Sequence, residues 1–137
     1  MESRIEEAVG KKKLGLNCAQ AVACTYCDLV GIDEQTMQAI TQPFGVGIGA
    51  TLEGTCGAVT GACMIIGLLN KDSGRRKSMT DAKQLLKNFQ ERNSTVTCKE
   101  LKGIGTGAIL RECNDCVRDA AEFLEKILED TNANKDT

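Results

Sequence analysis

The sequence predicts an all-α fold, a compact single-domain bundle of about five or six helices around a central apolar helix starting at Cys56. Three observations carry this expectation. Capping residues stand before most of the segments whose apolar residues recur at helical spacing. Strand-like alternation of apolar and polar residues is nowhere sustained. From Thr55 to Leu69 the chain is almost uninterruptedly small or apolar. About 14 residues of helix span roughly 21 Å, which suits a buried core helix and is too short to cross a membrane.

Ser3 followed by Glu6 reads as a capping box for a first helix, with Ile5 and Val9 on one face and Gly15 as its stop. Asn17 and Gln20 form a second box, for a helix running to about Val30 with Ala21, Val22, Thr25 and Leu29 as its apolar stripe and Gly31 at its end. Asp33 caps a short third helix, EQTMQAITQ, which Pro43 stops because proline disfavours helical geometry in the residue before it. After the glycine-rich FGVGIGATLEG comes the central helix, capped by Thr55. Its Gly57 and Gly61 lie one turn apart beside Ala58 and Ala62, a pattern that lets another backbone approach closely. Ser78, with Asp81 three residues on, caps the next helix, whose core face is Met79, Ala82, Leu85, Leu86 and Phe89. Thr97 with Glu100 caps the segment that begins at Cys98. Val117, Ala120, Leu124, Ile127 and Leu128 then repeat at helical spacing towards the C-terminus, and a disordered tail is expected from about residue 131. One domain spanning residues 1–137 is the expected organisation.

Composition excludes several function classes. With 17 basic and 19 acidic residues the net charge is −2, and aromatic residues make up 3%, so neither the basic footprint nor the stacking platforms of a nucleic-acid binder are present. Lys11 to Lys13 read as a solvated helix end, and Gly74 to Lys77 as a loop. The start of the chain, MESRIEEAV, is amphipathic and acidic rather than a leader, so a cytoplasmic protein without membrane insertion is expected. Histidine is absent, which removes Ser–His and Cys–His nucleophile pairs, histidine metal ligands and ordinary CxxCH haem attachment. Gly45 to Ala50, GVGIGA, can be written GxGxxA, but Gln42 and Pro43 precede it rather than a hydrophobic strand, and no βαβ pattern surrounds it. These glycines are read instead as permitting turns and a close approach of the chain to the core or to a cysteine cluster.

Eight cysteines remain: Cys18, Cys24, Cys27, Cys56, Cys63, Cys98, Cys113 and Cys116. A chain long enough to fold without disulfides, and lacking an export signal, uses such a set for metal binding or thiol redox chemistry. Their positions sharpen this. Asn17 precedes Cys18, Thr55 precedes Cys56, Thr97 precedes Cys98 and Asp115 precedes Cys116, with Cys113 equally near the start of the last helix. A sulfur in the first turn of a helix meets unpaired backbone N–H groups and the positive end of the macrodipole, which favours the thiolate. Cys56 and Cys63 are about 10.5 Å apart along their helix axis, beyond the roughly 7 Å that a disulfide allows between Cα atoms. Cys24-x-x-Cys27 falls inside a helix, so Cys24, Cys27 and Cys63 are read as packing or auxiliary thiols. Cys113-x-x-Cys116, at a helix start, is the better CxxC candidate.

NCAQAV, GVGIGATLEGTCGAVTGA with its CGAxxG core, CKELKG and CNDCVRDAAEFLEKIL together resemble the C_GCAxxG_C_C family of small bacterial and archaeal proteins, which is labelled redox-active. The likeness covers nearly the whole chain. It implies a four-cysteine site that maps onto Cys18, Cys56, Cys98 and Cys113, with Cys24, Cys27, Cys63 and Cys116 outside the pattern. A more distant likeness to the N-terminal part of split-Soret cytochromes implies a helical fold, while the lack of histidine argues against haem. Three functional readings follow. In the first, Cys18, Cys56, Cys98, Cys113 and Cys116 carry thiol–disulfide redox chemistry of oxidoreductase type, with a redox partner protein or a small-molecule oxidant or reductant. In the second, Cys18, Cys56, Cys98 and Cys113 ligate zinc or an iron–sulfur cluster. In the third, the chain is a structural helical interaction module with inert thiols. A homodimer is compatible with all three.

Overall fold

The computed structural model of the chain describes residues 1–135. Among these residues it is all-α, with seven helices: α1 (Ile5–Lys13), α2 (Cys18–Tyr26), α3 (Glu34–Thr41), α4 (Gly57–Leu69), α5 (Arg75–Asn93), α6 (Cys98–Lys102) and α7 (Cys113–Lys135). Short 3-10 turns extend α2 over Cys27–Val30 and α3 over Gln42–Phe44, where Pro43 ends the helix as the sequence predicts. No helix is long and apolar enough to cross a membrane among the described residues.

The centre is the pair α2 and α4 rather than α4 alone. Seven residues of α2, from Ala19 to Tyr26 with Gln20 excepted, are buried, and α2 packs on α1, α3, α4 and α7. The predicted close approach occurs here. A Cβ on Gly61 would lie 2.6 Å from the Ala19 carbonyl oxygen, and one on Gly57 would lie 3.0 Å from the Ala19 nitrogen. Backbone therefore replaces side chain across this contact, and Ile65, Ile66, Leu85, Phe89 and Leu124 fill the core around it.

Several expected helix starts are built differently. The Ser3–Glu6 box does not form; the Glu125 carboxylate, from α7, accepts the Arg4 backbone N–H at 2.8 Å and the Tyr26 hydroxyl at 2.5 Å. Helix α5 begins at Arg75, after Gly74 as its N-cap, rather than after Ser78, and Asp81 pairs with Lys77 and Asn70 instead of capping. Met79 and Leu29, assigned to apolar faces, are exposed. The disordered tail expected from about residue 131 starts within α7, where Thr131 is buried; residues 136–137 lie outside the described part.

Candidate functional site

Four segments bring cysteines to one cavity of about 70 Å³. Cys18 is the first residue of α2, held there by the Asn17–Gln20 capping box predicted from the sequence. The Asn17 side chain also donates to the Gln42 carbonyl, fixing the neighbouring loop. Cys56 and Cys98 arrive together by a route the sequence does not show. Thr55 and Thr97, read as caps, form no side-chain cap bond and pair with each other in an isolated antiparallel bridge. The Cys56 N–H donates to the Val96 carbonyl at 2.7 Å and the Cys98 N–H to the Gly54 carbonyl at 3.0 Å. Cys56 is consequently itself the N-cap of α4. On α7, Cys113 is the first residue and Cys116 lies one turn on, so Asp115 is a first-turn residue paired with Arg118, not a cap.

The glycine-rich segment forms a wall of this cavity. Val46, Gly47, Ile48, Gly49 and Ala50 run consecutively at φ between 50° and 70°, and Leu52 follows at 66°. Such a conformation costs an L-residue about 1–2 kcal/mol, and it is rarest for β-branched residues such as Val46 and Ile48. The Thr51 hydroxyl donates back to the Gly47 carbonyl, and the Lys99 N–H to the Leu52 carbonyl, which hold the strained loop in place. Gly47 is required on two counts: its φ is +70°, and a Cβ there would lie 2.9 Å from the Cys98 Cβ. The GxGxxA pattern is thus a wall against a cysteine. Strain of this kind concentrates at functional sites.

All five cysteines singled out at helix starts, Cys18, Cys56, Cys98, Cys113 and Cys116, line the cavity. Cys24 and Cys27 face a separate surface pocket beside the Lys11–Glu34 ion pair. Cys63 is not among the lining residues, and burial alone pushes its thiol up to about 11. The five are not equivalent. Cys56, Cys98 and Cys116 are buried, whereas Cys18 and Cys113 are half-buried. Cys113 also lines a groove of about 320 Å³ on the outer surface, with Ile104 and Ile109.

The sulfurs act on one another in two pairs. Cys113 is held down at about 5 by a hydrogen bond from the Cys18 thiol and, next, one from the Lys102 ammonium, which together outweigh burial. Cys18, which keeps the shared proton, is correspondingly raised. In the inner pair Cys56 is lowered by a hydrogen bond from Cys116 and by the backbone N–H groups of Ala58 and Val59 at the start of α4, while Cys116 is raised. Cys98 has no such donor, and burial raises it. Two of the five thiols, Cys56 and Cys113, are therefore lowered, and only at Cys56 do the backbone N–H groups of a helix start contribute. For Cys18, Cys98 and Cys116 the expected lowering is reversed by proton sharing and burial.

Three cationic residues complete the lining: Lys12, Lys102 and Arg111. The Arg111 Nε and Nη2 donate to the buried Asp119 at 2.9 and 3.0 Å, which anchors the segment leading into Cys113. Sequence reasoning missed all three. Lys102 had a usable signal, since it stands one helical turn after Cys98; Lys12 had none.

The sequence profile of the family described as "Putative redox-active protein (C_GCAxxG_C_C)" matches residues 16–127. The chain belongs to this family. In this C_GCAxxG_C_C protein the CGAxxG motif, Cys56 to Gly61, thus supplies both a cavity cysteine and the two glycines that seat α4 on α2. No curated protein and no solved structure matched the chain. As to metal, five thiolate donors are the soft ligands that zinc or an iron–sulfur cluster uses. Among the described residues, however, no three Cys, Asp or Glu side chains gather as a metal-ligand set. The donors as built are two pairs and a fifth thiol, which does not fit a four-sulfur cage.

Proposed function

We propose that this chain is a thiol–disulfide redox protein in which Cys113 is the attacking thiolate and Cys18 the resolving thiol. The observation that carries this reading is the place of Cys113, half-buried between the cysteine cavity and the outer groove, with Cys18 and Lys102 lining the same cavity and lowering its thiol. A thiolate beside a protonated partner is the reduced dithiol state that is ready to exchange at neutral pH. The Cys113 thiolate attacks one sulfur of a disulfide R–S–S–R, forming Cys113–S–S–R and releasing one thiolate. The Cys18 sulfur then attacks that of Cys113, its proton leaves with the second R–S group as a thiol, and a Cys18–Cys113 disulfide remains. The substrate disulfide gains two electrons and the protein loses two. Cys116, one turn along α7 from Cys113, and its partner Cys56 form a second dithiol to which the oxidation passes by the same exchange. Returning the protein to the dithiol takes a redox partner protein or a small thiol. Eight cysteines that are all unpaired suit a reducing compartment such as the cytoplasm.

The zinc or iron–sulfur alternative requires at least three sulfurs converging on one point. The inert-module alternative leaves the Lys102–Cys113 contact without a role. The test is to treat the fully reduced Cys18→Ser variant with hydroxyethyl disulfide and map the product by mass spectrometry. The expected first product is a mixed disulfide on Cys113, where the unaltered protein gives a Cys18–Cys113 bond that then exchanges onto Cys56 and Cys116. Modification spread evenly over the cysteines, or a metal retained by the anaerobically purified protein and released with loss of exchange protection, would overturn the assignment.

A further inference from the structure

The cavity's charge is opposite to that of the chain around it. Acidic residues outnumber basic ones, 19 to 17, across the sequence. Yet Lys12, Lys102 and Arg111 line the cavity, and among the described residues no carboxylate does. Two of the three cations already have partners, Arg111 in its fork on Asp119 and Lys102 on the Cys113 sulfur. Lys12 has no ion pair and no side-chain hydrogen bond among the described residues, although it is half-buried in the last turn of α1. Its charge faces the Cys18 and Cys113 sulfurs across the cavity, and no carboxylate in the lining competes for it with an anionic ligand. Helix α1 lies before residue 16, where the family match begins, so the family match does not include this cation.

Size narrows the visitor. A volume of about 70 Å³ holds a few non-hydrogen atoms, since one water takes about 10–15 Å³ on this measure. A folded partner's loop does not enter it. Beyond Cys113 the outer groove, about 320 Å³, offers the apolar Ile104 and Ile109 with Lys102, Arg111 and one carboxylate, Glu112. It has room for the remainder of a small molecule.

We propose that the substrate is a low-molecular-weight disulfide bearing an anionic group, drawn by Lys12 and Lys102 onto the Cys113 sulfur. This rests on the thiol–disulfide reading above and names its substrate class. Each molecule takes two electrons from the Cys18–Cys113 pair, leaves as one thiolate and one thiol that carries the Cys18 proton, and deposits one protein disulfide.

The test compares three disulfides of similar size at low ionic strength: dithiodipropionate, which is anionic, hydroxyethyl disulfide, which is neutral, and cystamine, which is cationic. Each rate is normalised to that of free mercaptoethanol. The anionic reagent is expected to oxidise the reduced protein about tenfold faster than the neutral one, and cystamine more slowly, as for charged reactants steered into a cleft. Lys12→Gln should lower the anionic-to-neutral ratio and Lys12→Arg should keep it. A ratio near one, or a preference for cystamine, overturns this inference while leaving Cys113 as the attacking thiol; a ratio unmoved by Lys12→Gln overturns the role of that lysine. A Cys113 that does not react even with the neutral reagent overturns the thiol–disulfide reading and the substrate class with it.

Discussion

At Cys113 a thiol donor and an ammonium meet one sulfur, and their order matters. The hydrogen bond from Cys18 is the largest influence, burial opposes it, and Lys102 adds a second, smaller lowering. Because Cys18 and Cys113 share one proton, the pair titrates as a unit, with the first proton lost near pH 5 and the second held well above the ordinary thiol value. Cys63, pushed up to about 11 by burial alone, is the internal comparison. In the reduced protein, alkylation by iodoacetamide followed site by site should give a rate at Cys113 that stays high from neutral pH down to about 5, while Cys63 shows almost none at neutral pH. Lys102→Gln should move the Cys113 midpoint upward, and Cys18→Ala, which removes the donor, should move it further. Equal profiles for Cys113 and Cys63 would mean that the neighbours of Cys113 do not stabilise its thiolate.

At the scale of elements, the contact that defines this fold is the seating of α4 on α2. Gly61 and Gly67 stand on the same helix, six residues apart, and separate packing from propensity. A Cβ at Gly61 would lie 2.6 Å from the Ala19 carbonyl, whereas one at Gly67 would meet nothing within 4 Å. Gly61→Ala forces backbone apart and should destabilise the protein by about 1–3 kcal/mol. Gly67→Ala should stabilise it by about 0.5–1 kcal/mol, the ordinary gain for alanine over glycine in a helix. Thermal melts of the two variants should shift in opposite directions; a shift of the same sign would deny the close contact. The Gly57–Gly61 pair was legible in the sequence because its spacing matches one turn. So was the Asn17–Gln20 box, whose partners are three residues apart and need no tertiary contact. What the sequence hid is what distant segments supply. The start of α1 is capped by Glu125, 121 residues from Arg4. Thr55 and Thr97 look like caps, yet the pairing of their two segments satisfies the backbone first. The five cavity cysteines were legible by their places at helix starts, but their ionisation was not. Which sulfur donates to which depends on how α2, α4 and α7 converge, and no local pattern encodes that.

For the whole molecule, two thiolates held in a buried cavity tie stability to pH. A group whose folded pKa is depressed contributes stability that is present above its unfolded pKa and is lost as pH falls through the folded one. For Cys113 those limits are the ordinary thiol value of 9.0 and about 5, and Cys56 is displaced in the same direction. Cys18 and Cys116 are raised, so their contribution is complete below 9.0 and is lost only as pH rises beyond it. Between about pH 6 and about pH 8.5, therefore, the unfolded chain binds more protons than the folded one, and stability should rise with pH. The chain has no histidine, the one side chain whose ordinary pKa falls in that window, so the thiols are seen against a quiet background. Asp28, lowered by Arg4, contributes only at more acidic pH, and Tyr26, raised by burial and by Glu125, only at more alkaline pH. The fully reduced protein should accordingly melt at a higher temperature at the upper end of the window than at the lower end. Cys113→Ser should flatten that rise, because serine has no proton to lose there, and the remaining slope should belong to Cys56. A melting temperature that falls across the window, or a rise that Cys113→Ser leaves intact, would place the stabilised thiolates elsewhere.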